Sequence, residues 1–169
     1  ILMFKEYIQL CWLKGYPDDL PTDRKFLWIN LSCYFLLGLF IQTNISGPIE
    51  AFMQIIVEIV VTIMFMGALL YKDGSTYNFE RFLTAILVCE NFVYVVALPL
   101  AFWFIFAKGS AAAFYPVYVG VALMLWSIAI ISHLLMGLFG YSWRMSIALS
   151  VFYFLLTYFG SYVLLLLMI

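Results

Sequence analysis

The chain has 169 residues, 67% of them hydrophobic and 10% charged, whereas a soluble domain runs at about half apolar and about a quarter charged. That excess cannot be hidden in a water-soluble core of this size, and a net charge of −1 offers nothing to a polyanion, so a soluble globule and a nucleic-acid partner are both excluded. Segments of about ten residues with alternating polarity, the mark of an outer-membrane barrel, are missing from the sequence, which leaves an all-α integral membrane protein.

In chain order, the first element is ILMFKEYIQLCWLKGYPDDLPTDRK. Phe4, Ile8, Cys11 and Trp12 recur at helical spacing, with Lys5, Glu6, Gln9 and Lys14 away from most of that face. This pattern predicts a short amphipathic helix lying in the bilayer interface, or else packed on a partner protein. Gly15 can end it, Pro17 cannot extend it, and Thr22 or Asp23 caps the first span. Five transmembrane helices come next, at about 26–45, 49–71, 82–106, 115–139 and 146–168, each long enough for a hydrocarbon core of about 30 Å. The links are short: Ser46-Gly47-Pro48, then YKDGSTYNFER with Asp73-Gly74 as its turn, then AKGSAAAFYP, then GYSWRMS. Pro116 suits the first turn of a helix. The whole chain, 1–169, reads as a single membrane domain without an internal repeat. No charged, apolar and cleavable sequence precedes the first span, so no cleaved signal peptide is expected.

Seven of the eight Lys and Arg residues fall on one side of this layout: Lys5, Lys14, Arg24, Lys25, Lys72, Arg81 and Arg144, against Lys108 alone. The positive-inside rule therefore puts the N-terminus in the cytoplasm and the C-terminus on the opposite side. Tyr71, Tyr77, Tyr115, Tyr118, Tyr141 and Trp143 fall near the expected interfaces, as an aromatic belt requires. Cys11, Cys33 and Cys89 are widely spaced and read as free apolar thiols.

Each span carries one small or polar stripe: Asn30, Tyr34, Gly38 and Gln42; Ala51, Gln54, Glu58 and Thr62; Glu90, Tyr94, Ala97 and Ala101; Ala129, His133, Gly137 and Gly140; Ser146, Ser150, Tyr153, Thr157 and Ser161. In lipid, small residues allow close approach and polar groups bond across helices, so these stripes are expected to face inward. Gly38, Gly137, Gly140, Ser146 and Ser150 are the expected packing positions.

Two carboxylates, Glu58 and Glu90, lie deep within spans. A central acidic residue costs about 2.5–3.5 kcal/mol even on the lenient insertion scale, so each is expected to be paired, protonated or beside water. At helical rise Glu58 lies about 20 Å from the inner end of its span, Glu90 about 12 Å and His133 about 9 Å. Glu90 and His133 can meet if spans three and four face each other, while Glu58 is expected to bond Tyr94, Tyr153, Thr157 or a partner subunit. The candidate intramembrane polar sites are thus Glu58, Glu90, His133, Gln54, Thr62 and Tyr94. Three roles stay open for them: structural anchors, contacts to a partner subunit, or a proton or cation path. One His and two carboxylates at different depths match no metal-ligand spacing, and no nucleophile elbow, P-loop or second His is present. No cofactor, metal or catalytic residue is expected; bound lipids are.

KGYPDDLPTDRKFL leading into five closely spaced apolar helices resembles the Yip1-like family of small five-span membrane proteins. The resemblance implies a five-span bundle with a cytoplasmic N-terminus. It also implies trafficking roles in which a cytosolic N-terminal region contacts small GTPases; the corresponding region here spans 1–25. No functional residue carries over. The expected function is that of a non-enzymatic accessory or scaffolding subunit, with other membrane subunits or a homo-oligomer as partners. The alternative is a small channel or transporter component moving protons or cations via Glu58, Glu90 and His133.

Overall fold

The structure is a computed structural model that describes residues 2–15, 20–21, 23–74, 78–110, 114–160 and 163. Pro17, Thr22, Tyr77 and Ser161 lie outside the described residues, as do 162, 164–168 and the side chains of Phe4 and Lys5. The described chain is helical throughout, with no strand: α1 (Leu2–Cys11), α2 (Arg24–Thr43), α3 (Pro48–Asp73), α4 (Phe79–Ala107), α5 (Phe114–Phe139) and α6 (Trp143–Phe154). Four of these, α2 to α5, are long and apolar enough to cross a membrane, and the chain is a helical membrane bundle. The last helix departs from a uniform fifth span. It stops being α-helical at Phe154 and runs on as a π-helical segment, Leu155–Gly160.

Local chemistry sets the ends. The Asp23 side chain accepts from the Lys25 backbone N–H at 2.9 Å and caps α2. Pro48 occupies the first turn of α3, where its missing N–H costs nothing. Gly74 ends α3 in the left-handed region at φ 72°. Gly140 turns the chain between α5 and α6 at φ 61°, with open space where a side chain would stand. It therefore serves the turn, and the packing role expected for it is not what its position provides.

α4 is the hub, touching α1, α2, α3 and α5. Its first half is buried almost all round, from Phe82 to Asn91 and again at Val93 and Tyr94, whereas Val95, Val96 and Phe102–Phe106 are exposed. Arg24 pairs with Glu80 at 3.0 Å, so the starts of α2 and α4 lie at one end of the bundle.

Two faces are turned from the sequence expectation. In α1 the buried side chains are Tyr7, Leu10 and Cys11, while Trp12 is 58% exposed and Ile8 half-buried. α1 docks on this protein's own α4 and α5. Trp126 Nε1 donates to the Cys11 carbonyl at 3.2 Å, and Tyr7 donates to the Pro21 carbonyl at 2.8 Å. Trp12, Phe92 and Trp126 complete the dock as a mutually packed ring cluster. Burial there pushes the Tyr7 phenol up to about 12, against the opposing pull of Arg81. In α5 the buried face is Leu123, Ser127, Ile130, Ile131, Ser132, Leu134 and Leu135. The expected stripe of Ala129, His133 and Gly137 is only half-buried, at the edge of that face. Apolar side chains fill the core more completely than the small stripe would, so the helix presents them inward.

Candidate functional site

The centre of the site is Glu58, at 0% exposure on α3. Its Oε1 accepts from Gln42 Nε2 at 2.7 Å and from Gln54 Nε2 at 3.3 Å. Its Oε2 accepts from Tyr34 at 3.3 Å and Tyr94 at 3.2 Å, and those two hydroxyls lie 3.4 Å apart. One carboxyl thus ties α2, α3 and α4 together. Of the partners expected for it, Tyr94 is bonded to it directly. Tyr153 reaches only its neighbour, by a 3.0 Å bond with Thr62 Oγ1, which also donates to the Glu58 carbonyl at 2.9 Å. Thr157 bonds back to the Tyr153 carbonyl at 2.8 Å.

Close helix approach makes this cluster possible. Gly38 is buried on α2, and a Cβ there would collide with Ile55 and come within 3.4 Å of the Tyr94 ring. α2 and α3 therefore meet at van der Waals distance beside Glu58, which brings Tyr34 and Gln42 of α2 within reach of it.

Glu90 lies on α4 at 2% exposure. Its Oε2 accepts from Tyr158 at 3.2 Å, and its Oε1 has no hydrogen-bond partner among the described residues. The expected meeting of Glu90 with His133 does not occur. Although α4 and α5 pack together, His133 sits at the edge of the α5 face and its Nε2 donates to the Gly15 carbonyl at 3.2 Å. His133 therefore fastens the lead-in segment, and its described hydrogen bond does not involve the carboxyl groups. Asn91, next to Glu90, points elsewhere and donates to the Asn30 carbonyl at 2.9 Å.

Ser146 and Ser150 are fully buried between α5 and α6, where Ser132 donates to Ser150 at 3.0 Å. They provide the packing seam their spacing suggests, with Ser132 as the facing hydroxyl. Gly137 is half-buried on α5.

The polar groups form three pieces: Glu58 with Gln42, Gln54, Tyr34 and Tyr94; Thr62 with Tyr153; and Glu90 with Tyr158. Tyr153 also lies close enough to the Glu90 carboxyl to interact with it, so the second and third pieces adjoin. The gap that Tyr34, Thr62, Glu90 and Tyr153 border has no room for a water molecule. Among the described residues no group of three or more His, Cys, Asp or Glu could hold a metal ion. Chemically, then, the arrangement holds two carboxyl groups in place and shields them.

Three partners escape a reading by stripes. Gln42 and Tyr34 are on the α2 stripe, but nothing in the sequence says that they converge on Glu58. Tyr158 is off its stripe in a regular α-helix. In a π-helical turn residues five apart come into line, so Tyr158 follows Tyr153 toward the interior.

Comparison with known protein families, with curated proteins and with solved structures finds no match. The functional reading of this chain therefore rests on its own residues and geometry.

Proposed function

We propose that this chain is a non-enzymatic accessory or scaffolding subunit that packs against other integral membrane proteins. The observation that carries this reading is the contrast along α4. Its first half is enclosed by the chain's own helices, while Phe102, Trp103, Phe104, Ile105 and Phe106 project from the second. Phe114, Tyr115 and Tyr118 at the start of α5 are exposed as well. A long rigid helix that is half enclosed offers its free half to a neighbour in the bilayer. The carboxyl groups support this reading from the other direction, because Glu58 is fully occupied in joining three helices of its own chain.

In this reading α6 and its π-helical continuation form a fifth span, as in the Yip1-like layout. Lys and Arg distribution puts the N-terminus in the cytoplasm, with α1 at that interface. The experiment that tests it is photo-crosslinking in native membranes. A crosslinking residue at Phe106 or Tyr118 should capture one defined membrane protein, and one at Met64 on α3, which is 68% exposed, should capture it far less. Equal capture at all three positions, or lipid adducts alone, would remove the basis for the reading.

A second reading, movement of protons through the bundle, is favoured by the orphan oxygen of Glu90. Its path would run through Glu58, Glu90 and the tyrosines, with His133 outside it. Proton flux in vesicles containing the pure chain, lost in Glu90→Gln with the fold intact, would establish it.

A further inference from the structure

Cys11 and Cys89 are 78 positions apart in the sequence, yet their sulfur atoms lie 3.5 Å apart in the bundle. Both are buried, at 0% and 1% exposure. Cys33, by contrast, is exposed. Cys11 closes the last turn of α1, and Cys89 lies in the enclosed half of α4, so the pair sits where α1 docks. The contact is fixed from the other side, since Trp126 holds the Cys11 carbonyl and packs on the Trp12 ring at 5.4 Å. A disulfide needs about 2.05 Å between sulfurs. The remaining approach is within reach of a side-chain rotation combined with a small slide of α1, a ten-residue helix at the edge of the bundle.

We propose that Cys11 and Cys89 form a dithiol site at which a small-molecule disulfide closes a covalent fastening between α1 and α4. One cysteine thiolate attacks the small disulfide RS–SR, forming a mixed disulfide and releasing RS⁻. The second thiolate attacks the protein sulfur of that mixed disulfide and releases another RS⁻. Both leaving thiolates take up the protons the cysteines lost. The sum is two protein thiols plus RS–SR giving one protein disulfide plus two RSH. Because both sulfurs are shielded in the docked state, the first attack occurs when α1 lifts, and the second comes as it settles back. The reduced chain keeps α1 on by packing and hydrogen bonds; the oxidised chain cannot release it.

The test uses the full chain carrying Cys33→Ser in mild detergent, so that no alkylating reagent meets Cys11 and Cys89 before oxidation. The protein is exposed to 2-hydroxyethyl disulfide, denatured, alkylated with an isotopically heavy maleimide and weighed intact. Without oxidant two heavy labels per chain are expected, on Cys11 and Cys89. After oxidation none is expected, with no hydroxyethylthio group retained and no linkage between chains. Adding Cys11→Ser should leave one heavy label on Cys89 or one retained hydroxyethylthio group there. Two heavy labels after oxidation, a hydroxyethylthio group on each cysteine, or chains joined to one another would overturn the proposal.

Discussion

Replacing Glu58 by alanine removes the acceptor that Gln42, Gln54, Tyr34 and Tyr94 share. In a membrane a side-chain hydrogen bond between helices averages about 0.6 kcal/mol and reaches about 1.7. The Gln42 bond, at 2.7 Å and between α2 and α3, belongs near the upper value. The Gln54 bond is within one helix from a half-buried residue, so its loss costs little. Tyr34 and Tyr94, 3.4 Å apart, can turn to each other and recover part of theirs. The bonds together come to about 2 kcal/mol. The space left by the deleted carboxyl adds about 1–2 kcal/mol. The expected loss is therefore about 3–4 kcal/mol. Glu58→Gln keeps the volume and one acceptor but turns an NH₂ toward existing donors, and should cost about 1–2 kcal/mol. Reversible unfolding in mixed micelles, by titration with sodium dodecyl sulfate and monitored by tryptophan fluorescence, measures both. A Gln42→Ala/Glu58→Ala cycle should show coupling between the two sites. Loss of less than about 0.5 kcal/mol in Glu58→Ala would refute the view that this carboxyl anchors three helices.

Gly38→Ala should destabilise the bundle by about 1–3 kcal/mol in the same assay, because the new methyl meets Ile55, and Ile55→Ala should restore part of the loss. Tyr158→Phe removes the hydroxyl that donates to Glu90 and should cost about 1–3 kcal/mol. Adding Glu90→Leu to it should recover stability, since a pair of apolar groups leaves nothing unsatisfied. Docking of α1 should weaken at alkaline pH: the Tyr7 phenol is raised to about 12 in the folded chain from about 10 when free. The stabilisation is fully present below about pH 10 and is lost as pH rises toward about 12. Trp12 and Trp126 fluorescence reports this undocking, and Tyr7→Phe should abolish that part of the pH dependence.

The membrane class, the hairpin links and the inward direction of the α2, α3 and α6 stripes can be read from the sequence, because in lipid a polar or small stripe has few other places to go. Capping at Asp23 and the turn at Gly74 are legible for the same local reasons. The pairing of polar groups is not. Glu90 and His133 match in depth but lie on faces that look in different directions, and depth along a helix says nothing of rotation about it. The orientation of α5 was hidden because its core face is mostly leucine and isoleucine, which a search for polar stripes passes over. Tyr158 was hidden because a change of helical pitch cannot be seen in a run such as LLTYFG. The docking of α1 and the meeting of Cys11 with Cys89 are products of tertiary packing across 78 positions, beyond any local pattern.

The most direct measurement for the account as a whole is native mass spectrometry of the chain gently extracted from its own membrane. The expected result is a complex of fixed stoichiometry containing at least one other integral membrane protein. A pure homo-oligomer or a lone chain, coupled to proton flux when reconstituted alone, would contradict it.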